Sequence, residues 1–170
     1  TATMAAAPMG DPLVEETVLG PISSVAAASR LEDQVDRAVA QGATVVTGGS
    51  RDGAYYPPTV LTGVTPEMDA YREEFFGPVG VVYRVADEDA AVTLANDTSF
   101  GLGSFVFSND PEQAARVADR IEAGMVYVNL VGADSPELPF GGIKRSGTAR
   151  ELGLLAADEF VNKKLIRTAG

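Results

Sequence analysis

Val79-Gly80-Val81-Val82-Tyr83-Arg84-Val85, Phe105-Val106-Phe107-Ser108 and Met125-Val126-Tyr127-Val128-Asn129 are three short apolar runs, and the residues between them decide the fold. The runs are rich in β-branched and aromatic side chains, which suit a buried, pleated surface. After the first run, Asp87 is placed to cap a helix that carries Ala91, Leu94 and Ala95 on one face. After the second, Asp110-Pro111-Glu112-Gln113 reads as a capping box with proline at the first helical position. The helix it opens presents Ala114, Val117, Ala118 and Ile121 together and stops at Gly124. Strand, helix, strand, helix, strand over residues 79–129 predicts right-handed crossovers. The fold class is therefore α/β, a parallel sheet with flanking helices.

Upstream, Ser23 or Ser24 can cap a helix whose apolar residues Val25, Ala28, Leu31, Val35, Ala38 and Val39 recur at three- and four-residue steps. Arg30, Asp33, Asp36 and Arg37 fall mostly on the other face, and Gly42 is the stop. A short strand, Thr44 to Thr47, leads into Gly48-Gly49 and a turn over residues 50–54. Tyr55 to Leu61 is extended, with Pro57 and Pro58 restricting it to an edge or an irregular strand. Thr1 to Ala7 reads as the tail of a helix broken at Pro8, before a turn at Met9-Gly10-Asp11-Pro12. Downstream, a loop rich in Gly, Pro and Ser gives way to a helix from Arg150 to about Glu159. Phe160 to Arg167 is a candidate last strand.

The 170 residues are 45% apolar, enough for a packed core. A net charge of −11 disfavours nucleic acid as a partner, since phosphate binding needs clustered Lys and Arg. Neither cysteine nor histidine occurs, which removes a disulfide framework, the usual zinc ligands and any triad containing His. A carboxylate-only magnesium or calcium site stays open, although no loop has the spacing of a calcium-binding hand. No apolar run is long enough to span a bilayer and no secretory signal starts at Thr1, so no membrane partner is expected and the expected compartment is the cytoplasm.

Two motifs bear on chemistry. Glu73-Glu74-Phe75-Phe76-Gly77-Pro78 lies just before the first apolar run, at the amino end of a strand, where topology alone does not place a ligand. Side chains of neighbours in extended chain point opposite ways, so Glu73 and Glu74 are a poor acid/base pair. One of them could accept hydrogen bonds from a sugar diol, while Phe75 and Phe76 could simply be core above a Gly77-Pro78 turn. Pro139-Phe140-Gly141-Gly142 contains paired glycines, which serve either positive φ or close backbone approach. Lys144 lacks the Walker spacing, and Gly101-Leu102-Gly103 does not extend to a dinucleotide fingerprint, so no phosphate-cradling loop is visible.

Taken together and in this order, the two motifs resemble the C-terminal part of the NAD(P)-dependent aldehyde dehydrogenase family. Gly20-Pro21, Tyr56-Pro57-Pro58-Thr59-Val60, residues 95–103 and Arg150-Glu151-Leu152-Gly153 extend the resemblance over nearly the whole chain. Thr148-Ala149 departs from the pattern common before the Arg-Glu pair. The resemblance implies that Glu74 holds the nicotinamide ribose hydroxyls and that Phe76 packs near the nicotinamide ring of NAD or NADP. It implies that Phe140 lines an aldehyde pocket, that the loop Val131 to Glu137 shapes it, and that Ser135 is a candidate substrate contact. The run Glu137 to Gly147 resembles the succinate-semialdehyde type, which implies a small aldehyde substrate oxidised to a carboxylic acid.

The family mechanism uses a cysteine thiolate, a glutamate base and an oxyanion-stabilising Asn. None of these falls on a matching position here. The expectation is that residues 1–158 are the remainder of a catalytic domain. Residues 159–170 would then be an arm that pairs with another subunit in a homo-oligomer. The cofactor-binding domain and the cysteine segment would lie upstream of Thr1. Such a chain alone is expected to be inactive and to self-associate through uncovered apolar surface. The alternative is a non-catalytic binding or structural module derived from the same fold.

Overall fold

A computed structural model describes residues 1–132 and 135–170. The chain divides into two compact units, Thr1–Arg84 and Val85–Gly170.

The first unit opens with a single helical turn, α1 (Ala2–Ala5), and is organised by α2 (Val25–Ala40). Ser24 starts α2, its Oγ accepting a hydrogen bond from the Ala27 amide at 3.1 Å. The stripe Ala28, Leu31, Val35 and Ala38 is buried, while Val25 and Val39, at the ends of the periodic run, stay exposed. Gly42 (φ +116°) turns the chain into β1 (Thr44–Thr47), followed by β2 (Thr59–Thr62), a 3-10 turn at Asp69–Tyr71, and β3 (Val79–Val82). The sheet order is β1-β2-β3, antiparallel then parallel, with Thr59 opposite Val79 and Thr62 opposite Val82. The core joins the α2 stripe to Ala43, Tyr56, Leu61, Val64 and Ala70.

The expectation of an edge or irregular strand at Tyr55–Leu61 is corrected here. Thr59–Thr62 is the central strand of this sheet. Pro57 and Pro58 precede the ladder, which starts at Thr59, whose amide donates to the Pro78 carbonyl at 2.8 Å. Thr59 is fully buried with its hydroxyl satisfied, donating to the Pro57 carbonyl and accepting from the Gly49 amide, both at 2.9 Å.

The second unit contains α3 (Glu88–Asn96), β4 (Phe100–Gly101), β5 (Gly103–Val106), α4 (Pro111–Arg120), β6 (Met125–Val128), β7 (Ile143–Lys144) and α5 (Gly153–Glu159). β5 and β6 are parallel in register Gly103–Met125 to Val106–Val128, with α4 as the crossover. β4 pairs antiparallel with β7. The expected single parallel sheet is therefore not formed. The run at Val79 pairs with β2, the other two runs pair with each other, and the α/β class is built from small sheets. Local periodicity names strands but does not choose their partners.

Both predicted caps are present. Asp87 Oδ1 accepts from the Ala90 amide at 2.8 Å, and Asp110 Oδ1 accepts from the Glu112 and Gln113 amides at 2.9 and 3.3 Å. The reciprocal half of the capping box is made instead by Ser108, whose Oγ accepts from the Asp110 amide at 3.1 Å and donates to Gln113 Oε1 at 2.7 Å. In α3 the buried residue is Val92; Ala91 and Leu94 are half-buried and Ala95 is exposed, so the apolar face is rotated from the one expected. Glu88 of α3 accepts from Arg116 Nε and Nη2 of α4 at 2.9 and 2.8 Å, and this pairing holds its carboxyl down to about 2.

The last helix begins at Gly153 rather than Arg150. Glu151 is bridged to Phe140, Arg150 Nη1 donates to the Gly142 carbonyl at 2.8 Å, and Leu152 and Gly153 both have positive φ. Phe160 to Arg167 forms no strand; no described segment of the chain pairs with it, and Phe160, Leu165 and Ile166 are exposed. Among the described residues no helix is long and apolar enough to cross a membrane.

Candidate functional site

The segment Glu73 to Pro78 connects the 3-10 turn to β3, and the parallel register brings its end against the start of β2. The two phenylalanines divide between the two readings that the sequence allowed. Phe75 packs against the core of the first unit, while Phe76 is 81% exposed. The two glutamates also part company. Both carboxylate oxygens of Glu73 lie 2.8 Å from Arg37 Nη2, and Gln34 Nε2 adds a hydrogen bond at 3.3 Å. Glu74 is exposed, and its carboxylate meets no hydrogen bond or ion pair among the described residues. Only its backbone carbonyl is engaged, accepting from Gln34 Nε2 at 3.2 Å.

Glu74 and Phe76 line one open cleft of about 510 Å³. Its other wall is the polar face of α2, with Arg30, Asp33, Gln34 and Arg37 at the i, i+3, i+4, i+7 spacing of a single helical stripe. Gly77 lets this helix come close, because a Cβ there would run into the Leu31 side chain. A free carboxylate beside an exposed ring in a cleft suits a ligand that offers paired hydroxyls and a flat heterocycle.

In the second unit Phe140 is half-buried and held by two backbone hydrogen bonds with Glu151, both 2.7 Å. It lines a pocket of about 180 Å³ with Leu102, Gly142, Ser146 and Glu151. The paired glycines serve close approach, not positive φ: a Cβ on Gly142 would lie 2.7 Å from Ser146 Cβ. Lys144 and Ser146 are tied into the fold. Lys144 Nζ donates to the Asn96 carbonyl and pairs with Glu122, both at 2.8 Å, and Ser146 Oγ accepts from the Gly101 amide at 3.1 Å.

Ser135 is half-buried and does not line the Phe140 pocket. Its hydroxyl donates to Glu137 Oε2 at 2.6 Å, which lowers the Glu137 carboxyl from its ordinary value. Residues 133 and 134 of the loop expected to shape the pocket lie outside the described residues. Gln34 was not singled out by sequence reasoning, and Arg37 was read only as part of a solvated face. The signal available was their shared place on the polar stripe of an amphipathic helix.

The sequence model of the aldehyde dehydrogenase family matches residues 1–166. The chain is 55% identical over 161 residues to a succinate-semialdehyde dehydrogenase [NADP(+)] of Deinococcus radiodurans, covering 93% of this chain and 34% of that protein. It is 45% identical over 164 residues to a succinate semialdehyde dehydrogenase [NAD(P)+] of Escherichia coli K12, covering 95% of this chain and 36% of that protein. Among solved structures, succinic semialdehyde dehydrogenase from Streptococcus pyogenes in complex with NADP+ superposes with a TM-score of 0.94 at 42% identity, covering 100% of this chain and 38% of that one. The chain thus spans about a third of the length of the curated relatives it matches.

Proposed function

The chain belongs to the aldehyde dehydrogenase family, and from that premise we propose that Glu74 and Phe76 hold the nicotinamide end of NADP or NAD in a protein that oxidises a small aldehyde, of the succinate-semialdehyde kind, to its acid. One observation carries the reading. The Glu74 carboxylate is free and the Phe76 ring exposed on the same cleft, although their immediate neighbours Glu73 and Phe75 are both engaged by the fold. The names of the relatives support the choice of substrate class and cofactor.

A bound nicotinamide supplies the hydride acceptor. The Glu74 carboxylate accepts hydrogen bonds from the two ribose hydroxyls, fixing the sugar, and the Phe76 ring limits where the flat heterocycle can lie. That placement matters because reaction at the ring depends steeply on distance and angle. Phe140, held by its bridge to Glu151, forms an apolar wall for the aldehyde, with Ser135 and Glu137 as a polar pair in the loop before it. The 170 residues contain no cysteine, so the thiol of the family reaction comes from outside them and the chain alone produces no NADPH. Residues 1–158 act as a catalytic-domain portion. Residues 159–170, with Phe160, Leu165 and Ile166 exposed, act as an arm that joins another copy of the protein.

Saturation-transfer NMR with NADP+ tests the grip. Transfer from the chain to the nicotinamide protons is expected for the natural sequence, and weaker transfer for Glu74→Gln and Phe76→Ala. Equal transfer to all three proteins would contradict the assignment.

A further inference from the structure

We infer that Arg37, Gln34 and Glu73 form a clamp that positions the Glu74–Phe76 segment, a conclusion that rests on the reading of Glu74 and Phe76 as a cofactor grip. Two residues one turn apart on α2 hold two consecutive residues of the loop. Arg37 Nη2 meets both oxygens of Glu73 at 2.8 Å, and Arg37 Nε lies 3.6 Å from Asp69 Oδ2, at the start of the preceding 3-10 turn. Gln34 Nε2 donates to Glu73 Oε2 at 3.3 Å and to the Glu74 carbonyl at 3.2 Å. The helix supplying these groups is itself fixed, since Leu31, Val35 and Ala38 of the same element are buried.

The consequence for Glu74 follows from which donors Glu73 occupies. Tying the Glu73 carboxylate to α2 engages Arg37 Nη2 and Gln34 Nε2 and leaves the Glu74 carboxylate free on the cleft it shares with Phe76. Without the tie, Glu74 could compete for the same guanidinium, and the acceptor for the ribose would be lost. A preorganised acceptor binds more tightly than one that must first be ordered. The side chains of Arg37 and Glu73 are 46% and 35% exposed, and exposed pairs contribute little to global stability. The clamp should thus act on the loop and leave the fold standing, which separates it from a merely structural pair.

Hydrogen–deuterium exchange on the full 170-residue chain, read by mass spectrometry, tests this and tolerates self-association. In Arg37→Gln and in Glu73→Gln, the peptide covering residues 70–78 should exchange about tenfold faster, as local opening requires, while the β2 peptide is unchanged. Arg37→Lys, which keeps a cation beside Glu73 and Asp69, should hold exchange closer to the natural sequence than Arg37→Gln does. Nicotinamide saturation transfer from NADP+ should fall in Arg37→Gln and Glu73→Gln and fall less in Arg37→Lys. Unchanged exchange at 70–78, no advantage of Arg37→Lys over Arg37→Gln, or equal loosening of β2 would each overturn the clamp. Glu74→Gln distinguishes the two readings: it should leave exchange at 70–78 as in the natural sequence. If it also leaves nicotinamide transfer intact, the cofactor grip fails while the clamp stands on exchange alone.

Discussion

The two units of this chain are of similar length but bury very different amounts of themselves. In Thr1–Arg84 an amphipathic helix closes over a three-stranded sheet, and Leu31, Val35, Tyr56 and Leu61 are almost fully buried. In Val85–Gly170 the buried apolar side chains among the described residues are Val92, Val106 and Ala114, while Phe105 and Phe107 stay 50% and 63% exposed. The second unit relies on polar ties: the Glu88–Arg116–Arg120 cluster between helices and the Lys144, Ser146 and Arg150 bonds that hold its turns. A rigid first unit can present Glu74 and Phe76 accurately. The second unit, with fewer buried apolar side chains, rests more on those polar ties.

The contrast is broken most severely by emptying the first core. Leu31→Ala should cost about 2–5 kcal/mol, whereas Phe105→Ala, at a half-exposed site, should cost clearly less. Denaturant melts of the two variants compare them directly, and equal losses would erase the distinction between the units. Next in size, the uncovered apolar surface of the second unit should drive association. Size-exclusion chromatography of the chain should show oligomers, shifted toward monomer by Phe107→Ser with Phe160→Ser. A stable monomer of the natural sequence would contradict this.

Acid should then loosen the second unit selectively. Pairing with Arg116 pulls the Glu88 carboxyl from 4.5 to about 2. Its contribution is complete above pH 4.5 and is lost as pH falls toward 2. Glu88→Gln should remove that part of the acid transition in a circular-dichroism titration, and an unaltered titration would count against the pair. The smallest effect is expected at Tyr56, whose buried hydroxyl has no hydrogen-bond partner among the described residues. Burial, reinforced by Glu32, pushes it up from 10.0 to about 12, so stability is full below pH 10.0 and declines as pH rises toward 12. Tyr56→Phe should abolish this alkaline decline and change stability at neutral pH by less than about 1 kcal/mol.

What was legible in the sequence follows the range of the interactions. Ser24, Asp87 and Asp110 were readable as caps because a cap satisfies amides two or three residues away. The buried stripe of α2 was readable from its period. The partner of Val79–Val82 was not, since pairing with Thr59–Thr62 is non-local and no pattern within either run specifies it. The prolines misdirected the reading of Thr59–Thr62 because their effect stops one residue before the ladder begins. The motif drew attention to Glu74 and Phe76, which line one cleft. The contacts that separate Glu74 from Glu73 cross 36 to 40 residues of chain and depend on how α2 lies over the loop. Only coordinates reveal them.

A structure of this chain solved with NADP+ bound tests the central claim most directly. Both nicotinamide-ribose hydroxyls are expected within hydrogen-bond reach of the Glu74 carboxylate, about 2.7 Å, and the Phe76 ring against the nicotinamide. A cofactor bound with its ribose held by other groups, and Glu74 turned to Arg37 or to solvent, would contradict it.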